Sequence, residues 1–132
     1  MSGYFTFNRG HVDVRALPDG ENWQLLREVQ YVTGWGLVIT IPATFVTDFA
    51  SVPRILWRIA PPATGKHIRA ALVHDWLYRT PGVNVTRAQA DGIFLAIMEM
   101  DGVAWATRQA LYMGVRVGGA SSFKTRSNPW AA

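Results

Sequence analysis

The sequence predicts an α+β fold, an N-terminal antiparallel β-meander followed by an antiparallel helical core. Three observations predict it. Residues 4–41 alternate short β-branched and aromatic runs with turn signals. Beyond Pro42 the apolar residues recur at i, i+3, i+4, i+7, the period of one helix face. The two clearest helical runs are joined by a short Pro-Gly-containing link, which makes them antiparallel neighbours. A chain of 132 residues is one domain by length and can bury roughly two-thirds of its unfolded surface. We expect that domain over residues 1–119, with 120–132 as an extended C-terminal arm.

In chain order, residues 4–7 (Y-F-T-F) and 11–17 (H-V-D-V-R-A-L) read as short strands around the turn Asn8-Arg9-Gly10, and Pro18-Asp19-Gly20 is a second turn. Residues 23–32 have some helical character. A strand is favoured, because β-branched and aromatic residues collect at their end and Thr33-Gly34 follows. Residues 36–41 (G-L-V-I-T-I) are a strand that Pro42 ends or places at an edge. The first third is therefore a meander of three to five strands.

Residues 43–53 (A-T-F-V-T-D-F-A-S-V-P) read as a loop in which Thr47, Asp48 and Ser51 hold a sharp backbone. Pro53 suits the first position of a short helix over 53–60, which Pro61-Pro62 breaks. A helix over 66–79 ends at Pro81-Gly82. Thr86 with Gln89 three residues on is a capping box that opens a helix over 87–100. Gly102 interrupts it, and a last helix over 103–117 stops at Gly118-Gly119.

The informative stretch is 70–79 (A-A-L-V-H-D-W-L-Y-R). His67, Ala70, Ala71, His74, Leu77 and Tyr78 share one helical stripe, so His74 points inward. Tyr78 lies one turn along on the same face, and Asp75 is turned about 100° away. A buried imidazole needs a partner, because an unpaired buried polar group costs about 1–3 kcal/mol. The next helix carries Asp91, Phe94, Leu95 and Met98 as its stripe, headed by an acid. His74 lies roughly 9 Å before the connecting link and Asp91 roughly 7.5 Å after it at 1.5 Å per residue, so the two sit at the same height. A His74–Asp91 hydrogen bond follows. It serves either as a staple between helices or as the orienting half of a general base. Asp75 is not used by that pair. Asp48, in the loop, is available to meet it, and two carboxylates with loop carbonyls make an all-oxygen site suited to a hard cation such as Ca²⁺. Asp48 taken singly also suits a cap on Ser51 or on the 53–60 helix.

Composition bounds the function classes. There is no cysteine, which excludes a disulfide scaffold and thiolate metal sites. No apolar run reaches a membrane span, and the N-terminal residues show no signal-peptide core. The net charge is +4, and all 13 basic residues except Lys66 and Lys124 are arginine. That bias favours bidentate contact with phosphate or carboxylate. The charges are scattered with no basic block, which argues against a dedicated nucleic-acid-binding protein.

The order T-D (47–48), H-D-x-x-Y-R (74–79), T-R-x-x-x-D-x-x-F-x-x-x-M (86–98) and W-x-x-x-x-x-x-Y-x-x-V-R-x-G (105–118) resembles the prokaryotic phospholipase A2 family. The resemblance implies His74 as general base and Asp91 as the acid that orients it. It matches Tyr78 to the tyrosine one turn on, and Asp75 and Asp48 to the calcium-site carboxylates. The glycine- and cysteine-bearing calcium loop of that family is replaced here by Asp48-Phe49-Ala50-Ser51. Over nearly the whole chain, I-P-A-T-F-V-T-D-F-A-S-V-P-R (41–54), A-A-L-V-H-D-W-L-Y (70–78) and A-D (90–91) resemble a family of small proteins of unknown function encoded mostly by tailed bacteriophages and prophages.

Two function classes follow as expectations. The first is a calcium-dependent ester hydrolase acting on lipid, with His74, Asp91 and Tyr78 catalytic and Asp75 and Asp48 holding Ca²⁺. In it Arg54, Arg58 and Arg79 flank the mouth and receive a lipid phosphate, and Trp57 and Trp76 meet a phospholipid membrane surface; taken singly, each arginine also suits a solvated helix face and each tryptophan the core. The second is a non-catalytic virion or tail-assembly component that keeps this fold and contacts other phage structural proteins. Either is expected in the host cytoplasm during phage production, the second then incorporated in the particle.

Overall fold

The computed structural model describes residues 3–6, 12–48, 58 and 65–123. Among these residues six antiparallel strands form two three-stranded sheets, and three α-helices follow, an α+β architecture. The strands are β1 (Tyr4–Phe5), β2 (Val14–Ala16), β3 (Trp23–Leu25), β4 (Val29–Val32), β5 (Val38–Ile41) and β6 (Val46–Thr47). The helices are α1 (Ile68–Arg79), α2 (Arg87–Met100) and α3 (Trp105–Gly118).

The expected single strand over 23–32 is two strands in two sheets. One sheet has the order β1-β4-β5 and the other β2-β3-β6. Alternation explains the break. An unbroken strand would put Leu25, Arg27, Val29 and Tyr31 on one face. Leu25, Val29 and Tyr31 are buried, and Arg27 cannot join them. The chain turns at 26–28 instead, and the exposed Arg27 guanidinium pairs with Asp13 at 3.3 Å. Within the first sheet the registered row Phe5–Tyr31–Ile39 faces the core, and the row Tyr4–Val32–Val38 faces away from it.

Residues 43–47, expected as loop, include β6. Thr44 NH donates to Leu25 O at 2.7 Å and Leu25 NH to Phe45 O at 2.8 Å, which seats this segment on β3. Thr44 has φ +83°, unusual for a β-branched residue, and is held there by those bonds. The expected turn at 8–10 and the helix at 53–60 lie outside the described residues, apart from Arg58.

The three helices follow the sequence closely. Thr86 and Gln89 make both hydrogen bonds of the capping box. α2 ends in a Schellman motif: Gly102 NH donates to Glu99 O at 3.2 Å and Val103 NH to Met98 O at 3.0 Å, with Gly102 at φ +78°. Residues 120–123, expected to begin an extended arm, instead form a 3₁₀ turn over Ala120–Ser122 after α3, and the Phe123 ring packs edge-on against Tyr78, centroids 5.2 Å apart. An aromatic ring gains more from that apolar contact than from solvent. Residues 124–132 lie outside the described residues.

The core is centred on α1. Nine of its twelve residues are buried, so it is covered on nearly all sides rather than along one stripe. Leu72, Leu77, Phe94, Ile97, Met98 and Leu111 of the helices share one buried cluster with Leu25, Val29, Tyr31, Ile39 and Ile41 of the strands. Each contributes about 1.5–3 kcal/mol through burial. Arg69 is the buried cation of α1. Its guanidinium forks onto the Asp101 carboxylate (Nε to Oδ2 2.9 Å) and lies over the Phe5 ring at 3.9 Å, which links α1 to the end of α2 and to β1.

The cap is the cheapest element to test. Thr86→Ala removes one of its two hydrogen bonds and is expected to lower the unfolding free energy by about 1 kcal/mol. Urea denaturation measures it, and an unchanged midpoint would show that the packing of α2 makes the cap redundant.

Candidate functional site

Asp91 stands on the buried face of α2, and His74 and Tyr78 stand one turn apart on the facing side of α1. His74 Nε2 lies 2.7 Å from Asp91 Oδ1, and the Tyr78 hydroxyl donates to the same oxygen at 2.5 Å. This is the pairing that the helix spacing predicts. The other oxygen, Oδ2, accepts from Arg116 Nη1 of α3 at 2.6 Å, and Arg87 Nη1 is 3.7 Å away. The His74 ring lies between the Tyr78 and Phe94 rings, with centroids at 4.1 and 4.7 Å. The constellation is interior: His74 is 2% exposed, Tyr78 5% and Asp91 0%.

The electrostatics follow from that burial. Desolvation acts to raise the Asp91 carboxyl, but hydrogen bonds from His74, Tyr78 and Arg116 outweigh it and hold the group below the ordinary carboxylate range. Asp91 is therefore an anion. Opposite an anion, His74 Nε2 must carry the hydrogen, so the proton-accepting lone pair of a neutral ring is on Nδ1. Burial, together with the hydrogen bond to Asp91, pushes the Tyr78 hydroxyl far above its usual range and keeps it a donor. Arg116 and Arg87 partly neutralise the Asp91 charge.

Close approach is enforced from α3. A Cβ at Gly119 would lie 2.4 Å from Val115 O and 2.7 Å from the Tyr78 hydroxyl. Only glycine lets the end of α3 pass over Tyr78.

Asp75 faces away from that pair, as the helix spacing predicts, and it meets β6 where a loop was expected. Its Oδ2 accepts from the buried Thr47 hydroxyl at 2.5 Å, which joins α1 to β6. Its Oδ1 is 3.3 Å from Arg79 Nε. Arg79 also donates through Nη1 to Val46 O at 2.8 Å and places Nη2 3.6 Å from Asp48 Oδ1. Burial pushes the Asp75 carboxyl up, against the Thr47 hydrogen bond and the Arg79 charge, and Asp48 adds to the rise. A calcium ion needs six to eight oxygens at about 2.3–2.6 Å. As arranged, these oxygens do not fit one, because a guanidinium stands among them. Among the described residues no three acidic or histidine side chains gather into one group.

The structure thus brings His74, Asp91 and Tyr78 together, and links Asp75 to Asp48 through Arg79. Arg79 was expected at a mouth for lipid phosphate, yet it is engaged by carboxylates and a carbonyl. Arg58 is exposed. Arg54 and Trp57 lie outside the described residues, and Trp76 is half-buried with its ring edge-on to Phe45 at 5.1 Å. Sequence reasoning missed Arg87 and Arg116. Arg87 was readable, since it precedes Asp91 by one helical turn. Arg116 was not, because the packing of α3 places it.

The fold and site define a small α+β domain with a buried histidine–aspartate network between antiparallel helices. The family described as a protein of unknown function, DUF1353, matches residues 23–115, and the chain belongs to it. The match covers β3 to β6, α1, α2 and all but the last turn of α3, and leaves out β1 and β2. No curated protein and no solved structure matches the chain.

Two carboxylates of opposite shift give a pH signature. Asp91, depressed in the fold, contributes stability that is present above the unfolded value near 3.8 and lost as pH falls through the folded value. Asp75, raised in the fold, contributes stability that is present below that unfolded value and lost as pH rises through its folded value. Urea unfolding of Asp75→Asn is therefore expected to remove a decline in stability above about pH 4, the unfolded Asp value. A wild-type curve with no such decline would contradict the raised Asp75. Asp91→Asn strands Arg116 and His74 and is expected to cost about 3–5 kcal/mol, read as a loss of thermal stability.

Proposed function

We propose that the chain is a phage-encoded ester hydrolase of the phospholipase A2 type, with His74 as general base toward a lipid ester. The observation that carries the reading is the hydrogen-bonded set His74 Nε2–Asp91 Oδ1–Tyr78 hydroxyl, at 2.7 and 2.5 Å, on two antiparallel helices. The motif order that resembles prokaryotic phospholipases A2 supports it, and the resemblance to phage and prophage proteins supplies the setting. In this reading the Asp91 anion keeps the hydrogen on Nε2. Nδ1 takes a proton from a water whose oxygen bonds to the ester carbonyl carbon; the acyl C–O bond then breaks and Nδ1 returns that proton to the departing alkoxide, while Asp91 and Tyr78 hold the ring. His74→Ala is expected to lower hydrolysis of a fluorogenic phospholipid by about 10²–10⁴-fold while a cooperative melt shows the fold kept. Equal activity in wild type and variant would sink the reading.

A second reading, a non-catalytic virion or tail-assembly component, is favoured by a different observation. The His74–Asp91 pair is nearly inaccessible, and Arg116 already compensates the Asp91 charge at 2.6 Å. That is how a helix staple is built. The exposed Tyr4, Trp35 and Val38, and Trp105, Met113 and Val117 on α3, then serve as contacts with other particle proteins. Detection of the chain in purified particles, with no hydrolysis by the wild type, selects this reading.

A further inference from the structure

The Arg79 position carries an inference that stands whether or not the chain cleaves esters. Three nitrogens of one guanidinium each face a different oxygen. Nη1 donates to Val46 O at 2.8 Å, Nε is 3.3 Å from Asp75 Oδ1, and Nη2 is 3.6 Å from Asp48 Oδ1. A planar fork of fixed geometry satisfies such a divergent set, whereas a point charge on a flexible stem does not. Arg79 occupies the last turn of α1, where the helix end favours a cation, and it follows Asp75 by one turn. The Phe45 ring sits 5.7 Å from its Cζ and closes one side. The Asp75 carboxylate is only 8% exposed and Thr47 is wholly buried, so the inner side of the cluster is built into the fold, while Arg79 and Asp48, 38% and 44% exposed, form its solvent side.

These are the oxygen types that a hard cation selects: two carboxylates and a backbone carbonyl, with a hydroxyl beside them. We infer that the cation of this cluster is the chain's own Arg79 guanidinium, and that it stands in place of a divalent metal ion. The wild-type chain takes no calcium here, and loss of the guanidinium converts the cluster into a calcium site. Guanidinium and metal exclude each other, because both need the same oxygens and their charges repel.

The experiment reads binding and melting, not hydrolysis, so its outcome is separate from that of the esterase assay. Wild type and Arg79→Gln are titrated with CaCl₂ by calorimetry and melted with and without it, at matched ionic strength. Wild type is expected to show no saturable heat and no shift. Arg79→Gln is expected to melt lower without calcium, and to gain a saturable site and about 5 °C at saturation. Arg79→Lys, which keeps a charge, is expected to melt above Arg79→Gln and to bind no calcium. Saturable calcium binding by wild type that Asp75→Asn abolishes would overturn the inference. So would an Arg79→Gln variant that folds and gains no calcium site, or an Arg79→Lys variant that melts no higher than Arg79→Gln.

Discussion

A single ionised carboxylate, Asp91, sits at the centre of this molecule and ties its three helices together. It is fully buried, and an isolated buried anion is far too costly to survive. Its oxygens therefore dictate what surrounds them: two donors from α1, one cation from α3 and a second from its own helix. The register of α1 against α2 is tied to this demand, since a shift of one residue would carry His74 and Tyr78 out of reach. The approach of α3 is tied to it as well, through Arg116 and through Gly119 passing over Tyr78.

The same helix carries a second ionic arrangement that faces the sheets. Asp75 and Arg79 reach β6 and its flanks, and Arg69 reaches β1 through the Phe5 ring. α1 thus carries one polar network on each side: His74 and Tyr78 inward to the helices, Asp75 and Arg79 outward to the strands. This division explains why adjacent residues His74 and Asp75 have opposite electrostatic environments. One partners a carboxylate whose charge is stabilised by donors. The other is a carboxylate whose charge is penalised by burial and by the neighbouring Asp48. The interior position of the first network bears on both functional readings. It holds an imidazole rigidly, as a general base requires, and it also holds two helices, as a scaffold requires.

Local signals were strong wherever the chain itself satisfies them. The capping box at Thr86, the stop at Gly102 and the extent of α2 are read from neighbours within four residues. The His74–Asp91 bond is a long-range contact, yet it was legible because two helices of fixed rise joined by a short link leave little freedom. The strand region was less legible. Residues 23–32 carry one continuous β signal, but the conflict between burying Val29 and burying Arg27 is settled only by which strands lie alongside. Residues 43–47 look like a loop in isolation and become a strand because β3 presents hydrogen-bonding partners to them.

By itself, the sequence determined the α+β class, the three helices and the inward direction of His74, because helix periodicity and capping are local properties. Only the tertiary structure decided what each charged group does. Arg116 reaches Asp91 across twenty-five residues of sequence, and Arg79 enters the oxygen cluster for which the sequence had suggested a metal ion. The physical reason is common to both. A charge takes the partner that packing brings within a few ångströms, and no pattern along the chain encodes that distance.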